Sequence, residues 1–163
     1  MKTLLILRHA KSSWSDNNLS DHQRPLNKRG RYDAPRMGDL LASEDLVPDL
    51  IISSSATRAR TTAEAVADAS GYDGQLIITR ELYHAGPDDY LAAARELGAD
   101  SKTVLVVGHN PGIEELVEQL AGAWYRMPTA ALAEVRLSIK DWADLSEDEN
   151  GELANLWLPR ELP

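Results

Sequence analysis

The sequence predicts an α/β fold built on a largely parallel sheet with helices on both faces, and three observations carry that prediction. Short continuous apolar runs, Leu4-Leu5-Ile6-Leu7, Leu50-Ile51-Ile52 and Val104-Leu105-Val106-Val107, have the length of strands and no polar side, as strands buried on both faces do. Helical patterns separate these runs, and strand-helix alternation is the signature of parallel crossovers. Near the C-terminus the pattern switches to alternation, Val135, Leu137 and Ile139 against Arg136, Ser138 and Lys140, which predicts a half-buried strand. That strand pairs with Leu153 to Leu158 as an antiparallel hairpin on the sheet edge. No internal repeat or linker divides the chain, so residues 1–163 are expected to form one domain, a size that can bury a real core.

Taken in order, the Leu4–Leu7 strand ends at Arg8 and His9, and the Ser-, Asn- and Asp-rich stretch 10–21 reads as a loop leaving it. Asn27 is placed to cap a helix running to about Glu44, with Met37, Leu40 and Leu41 on one stripe. Pro35 conflicts with that helix and predicts a bend or a late start. After the second strand, Asp49 to Ser53, serines are placed to cap a helix from about Thr57 to Ala69. Leu76 to Thr79 is a third short strand and Pro87 to Leu97 a helix. The Val104–Val107 strand ends at Gly108 and His109, and Asn110 as cap with Pro111 at the first helical position opens a helix from Gly112 to Ala121.

Bulk properties remove several classes of function. A formal net charge of −9 disfavours nonspecific binding to nucleic acid or anionic membranes, so an anion site has to be a local basic pocket. The absence of cysteine removes disulfides, thiolate nucleophiles and Cys-ligated zinc. The N-terminal apolar run is too short for a signal-peptide core or a membrane span, and the default expectation is a cytoplasmic chain.

In an open sheet of this kind ligands collect at the carboxyl ends of the strands. Arg8 and His9 follow the first strand, Arg58 begins the helix after the second, and His109 follows the Val104–Val107 strand. Two guanidiniums and two imidazoles are therefore expected on one rim. Arginine offers a planar fork matching paired phosphate oxygens, and helix N-termini add backbone N–H donors on the same side. An imidazole with a pKa near 6.5 is substantially neutral at pH 7 and can attack phosphorus through one nitrogen if a backbone carbonyl holds the other. Each residue alone has a plainer reading: a surface Arg-His pair, a helix-bridging arginine, a loop histidine. Their joint placement at strand ends is what points to a phosphoryl group.

Arg8-His9-Ala10, Ser53-Ser54-Ser55-Ala56-Thr57-Arg58-Ala59 with Thr61-Thr62, and Gly108-His109-Asn110-Pro111 resemble, in order, the three signature segments of the histidine phosphatase superfamily, also called phosphoglycerate mutase-like. The short length and Arg24-Pro25-Leu26-Asn27-Lys28-Arg29-Gly30 resemble its SixA branch, the phosphohistidine phosphatases. The resemblance implies a three-layer α/β/α fold with a mostly parallel sheet and an antiparallel C-terminal edge. It also implies His9 as the phosphorylated nucleophile, Arg8, Arg58 and His109 as the phosphate pocket, and Arg24 as a further contact. Ala10 stands where the family usually has glycine, and Ser15 replaces the asparagine of the mutase branch after Trp14. Glu81 resembles the acid position of larger relatives, with a solvated strand-end carboxylate as the alternative, and His84 lies nearby.

The short stretch between Glu81 and the Val104 strand leaves no room for the large helical insertion of mutase-type relatives, so an open site is expected. The loop Lys11 to Gln23 is expected to form part of the rim, with the plainer alternative that Trp14 anchors that loop to the core, the commoner role of a tryptophan. The substrate implied is a phosphorylated protein of the histidine-phosphotransfer type or a small phosphate ester, handled by a monomer without metal or other cofactor. The competing readings are a small-molecule phosphomonoesterase, a noncatalytic phosphate-binding module, and a metal-dependent hydrolase. No His-x-His or His-Glu-x-x-His spacing supports the last.

Overall fold

A computed structural model describes all residues, Met1–Pro163. Six strands form one sheet: β1 (Lys2–Arg8), β2 (Leu50–Ser54), β3 (Leu76–Thr79), β4 (Thr103–Gly108), β5 (Leu132–Leu137) and β6 (Gly151–Trp157). Their spatial order is β3-β2-β4-β1-β5-β6. The pairs β3/β2, β2/β4 and β4/β1 are parallel, whereas β1/β5 and β5/β6 are antiparallel. Four α-helices cover the sheet: α1 (Lys28–Ser43), α2 (Thr57–Ser70), α3 (Pro87–Leu97) and α4 (Gly112–Ala121). The architecture is the three-layer α/β/α arrangement with an antiparallel edge.

The unbroken apolar runs follow from this layering, because successive side chains of a strand point to opposite faces. Leu4 and Ile6 of β1 join one core with Val104, Val106 and the inner sides of α3 and α4. Leu5 and Leu7 join a second core with Leu105, Val107 and the inner sides of α1 and α2. All four are fully buried. With about 1.5–3 kcal/mol gained per fully buried aliphatic side chain, the central strands anchor both layers.

Asn27 caps α1, its side chain accepting from the Gly30 amide at 2.9 Å. The helix starts at Lys28 and passes through Pro35, so the late start does not occur. Pro35 withholds the donor that the Arg31 carbonyl would use, and Arg31 is exposed to water, which lowers the cost. Two helix starts differ from expectation. Ala56, not a serine, occupies the N-cap of α2, and no side chain caps it. At α4 Pro111 is the N-cap, the Asn110–Pro111 peptide is cis, and Asn110 Oδ1 still accepts from the Glu114 amide at 3.3 Å.

At the C-terminal edge, β5 begins at Leu132, earlier than the alternation indicated, and Arg136 is its one exposed residue. Glu134 is only 3% exposed and accepts from Asn155 Nδ2 of β6 at 2.8 Å, so a carboxylate sits on the covered face of the strand. No helix is long and apolar enough to cross a membrane.

Gly30 ties α1 to the site. A methyl group there would overlap the carbonyl oxygen of Lys11, which accepts from the Asn27 amide at 2.9 Å. Gly30→Ala is therefore expected to push Lys11 away and destabilise the chain by about 1–3 kcal/mol, read as a lower thermal midpoint, with a loss of activity because Lys11 follows His9 and Ala10 directly.

Candidate active site

The site is assembled by register. Arg8 of β1 lies opposite Gly108 of β4, and Val107 of β4 lies opposite Ser53 of β2, so these three neighbouring parallel strands end at one level. The next residues, His9 and His109, leave the sheet together beside Ser54, the last residue of β2. α2 packs with α1 on one face and α4 with α3 on the other, which opens a crevice at the strand ends. A cleft of about 380 Å³ lies there, and Arg8, His9, Arg24, Arg58 and His109 all line it.

His9 is 6% exposed, and its amide donates to the Gly108 carbonyl at 2.9 Å. Its Nδ1 lies 2.7 Å from the Ala10 carbonyl. A carbonyl only accepts, so Nδ1 carries the proton and Nε2 keeps its lone pair. Burial first, then the charges of His109, Arg58 and Arg8, hold the imidazole neutral, with its pKa down to about 3 despite the opposing pull of the Ala10 carbonyl. Ala10 is itself fixed: its amide donates to Thr62 Oγ1 at 3.0 Å, and the same hydroxyl donates to the Arg58 carbonyl at 2.7 Å. One buried threonine thus joins the turn after His9 to the helix that carries Arg58.

The guanidiniums surround the imidazole. Arg8 Nη1 donates to the Met127 carbonyl at 3.2 Å, while its Nε is buried without a partner. Arg58 donates from Nη1 to the Asp21 carbonyl at 2.7 Å and from Nη2 to Asp21 Oδ2 at 3.1 Å. Arg24 donates to Asp21 Oδ1 at 2.9 Å, to the Ser13 carbonyl at 3.1 Å and to Ser12 Oγ. Tyr83 donates to Asp21 Oδ2 at 2.6 Å; that bond and the two arginines hold the Asp21 carboxyl far below the usual carboxylate range. Asp21 is thus the central anion of a cationic wall.

His109 stands 5.0 Å from His9 between ring centroids. Its Nε2 bonds Ser54 Oγ at 2.7 Å, and its amide donates to the hydroxyl of the buried Tyr90 at 3.2 Å. Gly108 is needed beside that hydroxyl, because a side chain would overlap it. Burial first, then Arg58, lowers the His109 pKa to about 4. The two buried side-chain nitrogens or oxygens without a partner are Arg8 Nε and His109 Nδ1, both in residues of this cleft. Unpaired buried polar atoms are rare; Arg8 Nε is a donor, and His109 Nδ1 is one in the tautomer whose Nε2 accepts from Ser54 Oγ.

Glu81 does not join this group. It is exposed in the short 3-10 helix Arg80–Leu82, lines neither the cleft nor its neighbour, and only its backbone amide is engaged, with Thr79 Oγ1 at 3.1 Å. His84, three residues on, reaches the neighbouring hollow. Trp14 does not anchor to the core either: it is 75% exposed, with the Arg24 guanidinium 3.2 Å above its ring. Asp21, Ser54, Thr62 and Tyr83 were given no site role from the sequence: Ser54 and Thr62 stood there only within the second signature segment, Asp21 had the three-residue spacing to Arg24 as its local signal, and Tyr83 pairs only across the fold. No group of three or more His, Cys, Asp or Glu side chains is arranged to hold a metal ion.

Neutral buried imidazoles make stability depend on pH. Below about 6.5 the unfolded chain protonates His9 and His109 while the folded chain does not, so stability present above that pH is lost as pH falls toward about 4 and then 3. The expected loss is on the order of a few kcal/mol, seen as a falling midpoint in thermal melts between pH 7 and 4.

Fold and site together define a histidine-based phosphatase. A family model described as "Histidine phosphatase superfamily (branch 1)" matches residues 4–84. An uncharacterized chloroplastic protein of Arabidopsis thaliana is 33% identical over 152 residues, covering 88% of this chain and 70% of that one. This chain belongs to the histidine phosphatase superfamily. It is closely related there to SixA-type proteins. The structure of a putative phosphohistidine phosphatase SixA from Nakamurella multipartitia superposes with a TM-score of 0.85 at 29% identity, covering 97% of this chain and 96% of that one. A second putative SixA, from Agrobacterium tumefaciens, gives 0.82 at 28% identity, covering 97% and 98%.

Proposed function

We propose that the chain is a protein phosphohistidine phosphatase, acting as one domain over residues 1–163 through a covalent phosphoryl group on His9, without a metal or other cofactor. The observation that carries this reading is the Nδ1 bond of His9 to the Ala10 carbonyl, which leaves Nε2 unprotonated among Arg8, Arg58 and His109. The Nε2 lone pair forms a bond to phosphorus, the bond from phosphorus to the leaving atom breaks, and its electron pair departs with that atom. Water then attacks the phosphorus, the Nε2–P bond breaks, and the lone pair returns to His9. Arg8, Arg58 and His109 bind the phosphoryl oxygens in both displacements, with Arg24 at the outer edge.

The open rim supports a substrate displayed on a folded partner. Only residues 83–86 lie between the 3-10 helix after β3 and α3, so no inserted segment roofs the cleft. The related proteins bear the name phosphohistidine phosphatase, which agrees with this substrate. The test compares rates on a phosphorylated histidine-phosphotransfer domain and on sugar phosphates, and the protein substrate is expected to lead in kcat/KM. A clear preference for sugar phosphates would replace this reading with a small-molecule phosphomonoesterase.

A further inference from the structure

Beside the phosphate cleft lies a second hollow that the steps above leave unused. Its volume is about 480 Å³; it shares Arg58, His109 and Asn110 with the first, and Tyr83, His84, Ala85, Gly86, Pro111 and Glu115 form the rest of its wall. His9 lines the first hollow and not the second. An in-line displacement at phosphorus requires the leaving atom on the side opposite the attacking nitrogen. For a phosphoryl group bound by Arg58 and His109, the second hollow is bordered by these same two residues but not by His9, as a leaving-group site requires.

The wall of this hollow has a definite chemistry. Tyr83 is held by its hydroxyl on Asp21 and by the edge-on ring of His22, 4.8 Å away between centroids. His84 lies along Tyr83 with centroids 4.0 Å apart and planes tilted by 36°. Its backbone has φ of 59°, a left-handed conformation that costs a residue with a side chain roughly 1–2 kcal/mol and that concentrates at binding sites. Aromatic faces favour a planar partner, and the Glu115 carboxylate favours one with an N–H to give while repelling an anionic leaving group.

We propose that the hollow formed by Tyr83, His84 and Glu115 is the leaving-group subsite, and that it selects a planar ring bearing an N–H, the imidazole of phosphohistidine, over a polyol or a carboxylate. This rests on the phosphohistidine reading of the first cleft. Glu115 accepts from the distal ring N–H and so favours the protonated, positively charged ring. When His9 Nε2 bonds to phosphorus, the substrate P–N bond breaks, its electron pair stays on the ring nitrogen, and imidazole leaves neutral with its distal proton still in place. No acid is then needed at the breaking bond, in keeping with the absence of Glu81 from the lining of either hollow.

The test pairs His84→Gly, which suits the local φ, and Glu115→Gln with two substrates. These are phosphohistidine and phosphoramidate, whose leaving group is ammonia and has no ring. Each variant is expected to lose about tenfold or more in kcat/KM on phosphohistidine and less than about threefold on phosphoramidate. Equal losses on both substrates, or none on either, overturn the subsite. A wild type that transfers phosphoryl to His9 from neither substrate defeats the reading of the first cleft instead. The hollow is then judged by NMR titration with imidazole in phosphate buffer, where unshifted Tyr83 and His84 ring signals overturn it and shifts lost in Glu115→Gln sustain it.

Discussion

His9→Ala is expected to abolish turnover, with kcat lower by about 10⁴-fold or more, because it removes the atom that bonds to phosphorus. Rapid quench with radiolabelled substrate should trap an acid-labile, base-stable phosphoryl group on the wild type and none on the variant. Arg8, Arg58 and His109 remain, so inorganic phosphate should still bind the variant within about threefold of the wild-type affinity, which separates loss of chemistry from loss of fold. The variant also lacks one of the two imidazoles held neutral by burial, so its stability should fall less steeply between pH 7 and 4 than that of the wild type. Activity above about a hundredth of wild type would mean that another group attacks phosphorus. Phosphate binding with no trapped label on the wild type would instead describe a recognition module.

The strands were legible because burial on both faces leaves no polar position in a short run, and β1, β2 and β4 show that in Leu4–Leu7, Leu50–Ile52 and Val104–Val107. Strand ends then locate candidate ligand positions, since neighbouring parallel strands in register finish together; Arg8, His9 and His109 were placed on one rim for that reason alone. What the sequence hid depends on partners distant along the chain. β5 began earlier than its alternation indicated, because the small residues Ala131 and Ala133 weaken the apolar signal and Glu134 is satisfied by Asn155 on another strand. Trp14 looked like an anchor, but its partner is the Arg24 guanidinium at the cleft and not the core. Ser54, which looked like a helix cap, is bonded to His109, and α2 begins uncapped. Asp21 illustrates the limit most clearly: a solvated loop carboxylate by composition, it gathers Arg58, Arg24 and Tyr83 from three separate segments.

That arrangement sets the second large effect. Arg58→Ala is expected to lower kcat/KM by about 10²–10⁴-fold, since it removes a buried fork of donors from the phosphoryl site and exposes the incoming dianion to Asp21. In the wild type Arg58 spends two donors on Asp21, which orients the guanidinium and offsets the carboxylate. Without Arg58, Asp21 keeps only Arg24 and Tyr83 and becomes a net repulsion at the mouth of the cleft. Asp21→Asn should therefore recover part of the loss in the Arg58→Ala background, roughly tenfold, while costing activity in the wild type, where the carboxylate holds Arg58 in place. Arg58→Lys should recover less than the native fork supplies, because an ammonium cannot serve the Asp21 carbonyl, its carboxylate and a phosphoryl oxygen in one plane. The measurement is a double-mutant cycle in kcat/KM on one phosphohistidine substrate. A threefold or smaller effect of Arg58→Ala would assign Arg58 to the folding of the 11–24 loop rather than to phosphate, and additive single effects would show that Asp21 and Arg58 act independently despite their contact.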